Sequence, residues 1–191
     1  MKKSLGPRAL IQPNPVLIVG SYDQNKRPNI MAVAWGGICC SKPPCAAVSL
    51  RQATYSYGSI QLNRAFTINI PSTSLVKEAD YVGIYSGKNE DKFEALGLTP
   101  IKSDVVNAPY VKEFPLVLEC ELLKIVEIGL HNQFIGEVKD IKADEQILDQ
   151  NGLPDIGKLQ PFIYNSANRD YYALGDLLGK AYSIGRKEST A

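Results

Sequence analysis

Histidine occurs once in this chain of 191 residues, at His131, and tryptophan once, at Trp35. Cysteine occurs four times, at Cys39, Cys40, Cys45 and Cys120, and never as Cys-x-x-Cys. A structural zinc site needs four nitrogen or sulfur ligands at suitable spacing, so no metal site is expected. The cysteines read as packing residues of a reducing cell interior, with Cys39 and Cys40 on opposite faces of a strand. Charge of one sign is also missing: the net charge is +1. Nucleic-acid binding by phosphate neutralisation is therefore not expected. The opening MKKSLGPRAL has no apolar run of signal-peptide length, and no later run suits a transmembrane span. A cytoplasmic protein with no membrane partner is the expectation. No Gly-x-Gly-x-x-Gly or Gly-x-x-x-x-Gly-Lys segment occurs, which disfavours Rossmann and P-loop folds.

What is present is ordinary for a folded domain. Apolar residues make up 45% and charged residues 21%, the balance of a soluble globular protein. A chain of this length buries a core without staples. One domain over 1–191 is expected, with a flexible lead-in over 1–14 and a frayed tail over 186–191.

The stretch Arg27 to Arg51 organises the rest. It reads as a strand from Pro28 to about Cys40, a break at Lys42-Pro43-Pro44, and a second strand from Cys45 to Leu50. Small residues (Ala32, Ala34, Gly36, Gly37) alternate with Met31, Val33 and Trp35, and small residues let a flat body approach the backbone. Arg51 at the strand end offers a planar fork that suits phosphate. Thr54, Tyr55 and Ser56 then begin a helix over 54–63, with Thr54 as cap, and a helix start holds anions. A flat cofactor with a phosphate tail is implied.

Before this stretch, PVLIVGSY reads as a strand, turned by Asp23–Lys26 into a hairpin. After it come a strand at Ala65–Ile70, a helix over Leu75–Tyr85 and a short helix over Asn89–Leu96, capped by Asn89 and stopped by Gly97. Residues 97–114 read as irregular with short extended pieces. Phe114–Ile128 and Asn132–Ala143 read as two long strands joined at a corner, the bent hairpin of a small barrel. Residues 144–160 read as loop, and Phe162–Tyr164 and Tyr171–Leu174 as short strands. The fold class is mainly β: an antiparallel barrel with peripheral helices.

These blocks, in order NPVLIVGSYD, RPNIMAVAW, AAVSLR before TYSYGSI, FTINIP, SGKNEDKFEALGL, LHNQFIGEV, and PFIYN with YYALG, resemble the flavin reductase-like proteins with the FMN-binding split barrel. Within that family they are most similar to the flavoredoxins. The resemblance covers about Pro15 to Gly185. It implies a split antiparallel β-barrel, a homodimer, and FMN near the subunit interface. It further implies that Asn29, Ile30, Met31, Ala32, Val33, Ala34 and Trp35 line the flavin with backbone and side chains. Ser49, Leu50 and Arg51 would reach the ribityl phosphate, and Tyr55 and Ser56 would meet it at the helix start. Lys92 would face the cofactor, with His131 and Tyr164 beside the flavin. Ser56 stands where the family commonly has threonine, and Tyr164 where phenylalanine is frequent.

Without the resemblance each residue has a plainer reading. Arg51 reads as a solvated strand end, Trp35 as core or interface, Lys92 as an exposed helix lysine, His131 as a turn residue and Tyr164 as core. With it, the expected function is an FMN-binding redox protein with no catalytic side chain of its own, flavoredoxin-like in electron transfer or flavin reductase-like. One alternative is an NAD(P)H-dependent reductase of free flavin or ferric iron. Another is a non-catalytic flavin-binding protein. The expected partners are a second copy of the chain and either a redox partner protein or NAD(P)H.

Overall fold

The strand Leu17–Tyr22 lies at the centre of the architecture because both of its faces are covered. Leu17 and Val19 point into one apolar cluster with Val48, Leu50, Phe66, Cys120 and Phe134. Val16 and Ile18 point into a second with Ile30, Ala79, Val82, Phe93 and Phe162. A strand buried on both faces needs an unbroken apolar run, which is what PVLIV supplies.

The structure is a computed structural model that describes residues 1–186. Its strands are β1 Asn14–Pro15, β2 Leu17–Tyr22, β3 Pro28–Val33, β4 Gly36–Ser41, β5 Pro44–Arg51 and β6 Ala65–Ile70. They continue with β7 Pro100–Lys102, β8 Pro109–Val111, β9 Leu116–Glu127, β10 His131–Ala143, β11 Phe162–Asn165 and β12 Asp170–Ala173. The α-helices are α1 Tyr55–Asn63, α2 Val76–Ile84, α3 Lys92–Leu96 and α4 Ile156–Leu159. The frayed end expected over 186–191 lies, from residue 187 on, outside the described residues.

Seven strands form one sheet in the order β3-β2-β6-β9-β10-β5-β4, every pairing antiparallel. The two edge strands, β3 and β4, are consecutive in the chain. The single run expected from Pro28 to Cys40 is thus two strands, bent at Ala34-Trp35, and the bend carries the chain from one edge of the sheet to the other. The Ser49 amide donates to the Trp35 carbonyl at 2.9 Å across that bend. The curled sheet encloses the first apolar cluster, and α2, α3 and β11 cover the second on its outer side. The long hairpin β9–β10 bends as expected, through irregularities at Ile135/Gly136 and Val138/Asp140.

Three local expectations change. Asp91, not Asn89, caps α3, its carboxylate accepting from the Phe93 and Glu94 amides. Thr54 precedes α1 with its hydroxyl turned back to the Arg51 carbonyl at 2.8 Å, so it makes no cap bond. Cys39 and Cys40 are both exposed on the edge strand β4, whereas Cys45 and Cys120 are buried. The packing reading therefore fails for the first pair: both faces of β4 are open to solvent from Gly37 to Ser41.

Gly20 on β2 sits where a Cβ would lie 2.3 Å from the Pro109 carbonyl and 2.4 Å from Thr67 Oγ1, atoms that hydrogen-bond each other at 2.6 Å. Gly20→Ala is expected to cost about 1–3 kcal/mol by overpacking. Urea unfolding should show a lowered midpoint at unchanged slope.

Candidate functional site

The hairpin β2–β3 sets the first part of the site through its turn. The buried Asp23 carboxylate accepts from the Asn25 amide at 2.7 Å, the Arg27 amide at 2.9 Å and Arg27 Nε at 2.8 Å. It also accepts from the Tyr55 hydroxyl at 2.8 Å, which fastens the start of α1 to the hairpin. Burial pushes the Asp23 carboxyl up, but the hydrogen bonds from the Arg27 backbone, Tyr55, the Arg27 side chain and the Asn25 backbone outweigh it. Asp23 accordingly ionises below the usual carboxylate range. Asn29, next on β3, donates from Nδ2 to the buried Ser56 hydroxyl at 2.9 Å. That bond holds the first turn of α1 against β3, and Tyr55 and Ser56 present the leading N–H groups of the helix there.

Lys92 closes the arrangement from the other side. It is 4% exposed, and its ammonium donates to the Ile30 carbonyl at 2.7 Å and the Val82 carbonyl at 2.9 Å. Burial without a carboxylate partner lowers its pKa to about 8. An ammonium has three N–H donors, so one remains beyond these two bonds. The exposed-lysine reading is overturned: the short helix α3, anchored by Asp91 and stopped by Gly97 in the left-handed conformation, turns Lys92 and Phe93 inward.

These residues enclose a cleft of about 260 Å³. Asn29, Met31, Ala32, Tyr55, Ser56 and Lys92 line it, and the chain leaving α2, from Gly83 to Gly87, forms its far wall. Gly87 is required there, because a Cβ would fall 1.9 Å from Asn29 Oδ1. Sequence reasoning missed this wall and the Asp23–Arg27–Tyr55 network. The signals available were Gly87 and the four-residue spacing of Asp23 and Arg27.

A second cleft, of about 620 Å³, follows the bend between β3 and β4. Ala34, Trp35, Gly36, Gly37, Cys39 and Ser49 line it, with Arg8 to Ile11 of the lead-in along one side. Trp35 is 40% exposed, and its ring lies 4.7 Å from that of His131, tilted by 51°. His131 begins β10 directly opposite Arg51. Arg51 is exposed, lies opposite His131 in the ladder, and is not among the residues lining the cleft that holds Ser56 and Lys92.

The remaining expected residues fall elsewhere. Ile30, Val33 and Leu50 turn their side chains into the apolar clusters, so only their backbones face outward. Tyr164 packs against the outer cluster with its ring 5.6 Å from that of Tyr171, and it lines neither cleft.

The family model for the flavin reductase like domain matches residues 11–174. The chain belongs to that family. Its flavin reductase-like fold superposes on the flavoredoxin of Desulfovibrio vulgaris (Miyazaki F) with a TM-score of 0.93 and 57% identity, covering 97% of this chain and 100% of that one. The flavoredoxin from Methanosarcina acetivorans matches with a TM-score of 0.90 and 29% identity, over 97% and 98% of the two chains. A split-barrel domain protein from Shewanella frigidimarina shares the fold, with a TM-score of 0.81 and 23% identity over 90% and 87%. The seven-stranded curled sheet is the split barrel of this family.

Asp23→Asn is expected to destabilise the protein at neutral pH by about 1–3 kcal/mol, the range for hydrogen bonds to a charged group. A carboxylate with a depressed folded pKa contributes stability above its unfolded pKa and loses it as pH falls through the folded one. Melting curves of wild type and Asp23→Asn should thus converge in acid and separate at pH 7.

Proposed function

We propose that this flavin reductase-like chain is a redox flavoprotein that binds FMN and works as an electron carrier of the flavoredoxin type. One observation carries the reading. A buried lysine with an N–H to spare, a buried serine hydroxyl and the leading amides of α1 converge on one cleft, and the strand β3 that lines it leads on to an exposed tryptophan–histidine pair. Phosphate suits the first group of donors, and a flat ring system suits the second. The small residues Ala32, Ala34 and Gly37 leave room for a ligand against the backbone. FMN, when bound, supplies the electron-transfer chemistry.

The chain's own residues bind, orient and shield. The Ser56 hydroxyl accepts from Asn29, which leaves its proton to donate into the cleft. Lys92 lines the same cleft and keeps a third N–H, and its positive charge favours an anionic tail. Arg51, His131 and Trp35 flank the ring end. Ile30, Val33 and Leu50 contribute backbone only, and Tyr164 supports the outer cluster beneath the site.

We assign a second copy of the chain as structural partner. Between Leu174 and Ile184 the side chains of Leu177 and Leu178 are 87% and 91% exposed, an apolar run that water disfavours. Light scattering should give twice the monomer mass. Four free thiols accord with cytoplasmic placement. No helix among the described residues is long and apolar enough to cross a membrane.

The larger cleft supports a second reading, a reductase that takes hydride from NAD(P)H. It is roomy, open and carries Arg8 on its wall. Anaerobic mixing of the FMN-loaded protein with NADH or NADPH separates the two. Fast bleaching of the flavin assigns the reductase. Slow bleaching, with fast reduction by a partner redox protein, assigns the carrier.

Lys92→Met should weaken FMN binding by about 10- to 100-fold, the equivalent of about 1.5–3 kcal/mol for a charge-assisted hydrogen bond. Fluorescence titration of the apoprotein measures it, and unchanged affinity would remove Lys92 from the phosphate end. Arg51→Ala in the same assay tests whether a cation outside the cleft also contributes. Because Lys92 titrates at about 8, wild-type affinity should fall as pH rises through that value, and Lys92→Met should lose this dependence. Folding stability moves the other way. Between about pH 8 and the ordinary lysine range the unfolded chain binds the proton better, so the burden of the buried charge lifts as pH rises.

A further inference from the structure

The hairpin β4–β5 holds a pair of thiols that the flavin site does not use. Cys40 and Cys45 are direct antiparallel partners in the ladder. Directly opposed residues in such a pair have Cα atoms about 4.5–5.5 Å apart, inside the span of about 4.4–6.8 Å that a disulfide bridges. Both sulfurs lean toward the turn, Cys40 Sγ to the Lys42 carbonyl at 3.5 Å and Cys45 Sγ to the Pro43 carbonyl at 3.4 Å. The pair sits on the last strand of the sheet, where β4 has no further neighbour. Cys40 is exposed and Cys45 buried.

We propose that Cys40 and Cys45 form a reversible cross-strand disulfide by exchange with small-molecule disulfides, Cys40 serving as the entry thiol and Cys45 as the resolving one. The exposed Cys40 thiolate attacks one sulfur of R–S–S–R. A Cys40–S–S–R bond forms and R–S⁻ leaves. The Cys45 thiolate then attacks the Cys40 sulfur, the cross-strand bond forms and the second R–S⁻ leaves. The protein gives up two protons and two electrons, and the co-reactant leaves as two thiols. Burial, then the nearby Cys40, Cys39 and Glu137, push the Cys45 thiol up, which disfavours it as the entry thiol; in the second, intramolecular step proximity offsets its smaller thiolate fraction. Cys39 is exposed too, but it falls at the irregularity between Ile38 and Cys40 and has no ladder partner on β5. Cys120 is inert: burial in the barrel interior pushes it up to about 12. The hairpin also forms one wall of the larger cleft through Gly36, Gly37, Cys39 and Ala47. The bridge would tie that wall at its open end.

The test uses the full chain, as purified, incubated with oxidised glutathione, blocked with N-ethylmaleimide and mapped by peptide mass spectrometry. The expected product links Cys40 to Cys45, leaves Cys39 labelled or glutathionylated, leaves Cys120 unlabelled until denaturation, and reverts with dithiothreitol. Cys39→Ser should form the bridge as wild type does. Cys45→Ser, or Cys45→Ala should the serine fail to fold, should stop at a glutathione adduct on Cys40. Wild-type protein in which Cys40 and Cys45 stay separately modified, or in which Cys39 is the bridged residue, overturns the proposal.

Discussion

A buried ammonium holds the site together. Lys92 gives its protons to two backbone carbonyls, one on β3 and one in the last turn of α2, and no carboxylate meets it. Burying a charge against dipoles alone is costly, and the lowered pKa records that cost. The return is geometric. Ile30 belongs to the barrel sheet, Val82 to the outer layer, and Lys92 to α3. One side chain thus sets the separation of three elements, and the cleft is the space they leave. A neutral side chain of the same length would fill the hole but leave two buried carbonyls without donors.

The same economy governs the start of α1. Asp23 gathers four donors at a hairpin turn, one of them from Tyr55, and Asn29 holds Ser56. The helix start is fixed by side chains from the neighbouring hairpin rather than by a cap of its own, since Thr54 bonds backward to Arg51. The amides and the hydroxyl at this helix start are thus held in place by the fold itself. Trp35 is held by the bend that joins the two sheet edges, so barrel closure and placement of the Trp35–His131 pair are one event.

Much of the fold was legible in the residues. Alternation and turn chemistry located β2, β3, β6, β9 and β10, and the unbroken apolar run of β2 matched its double burial. Ala79 and Val82 marked the inner face of α2. The Pro28–Cys40 run misled because Ala34 and Trp35 carry no turn residue; the bend comes from sheet closure, a long-range constraint. Asn89 misled as a cap because Asp91, two residues later, competes for the same role with a charged acceptor. Cys39 and Cys40 misled because, placed on opposite faces of a strand, both read as packed, and whether anything covers those faces is not local information.

By composition and pattern alone, the sequence determined a mainly antiparallel β-protein with a few short helices, a platform of small residues around Trp35, and hydroxyls at the start of α1. These follow from side-chain size, branching and spacing, which act over a few residues. Tertiary structure alone decided that Lys92 is buried, that Arg51 lies opposite His131 in the ladder, and that Ile30, Val33 and Leu50 turn inward. Each of those outcomes depends on which distant segment lies opposite, and pairing across 60 or more residues, as between Lys92 and Ile30, leaves no mark in the local pattern.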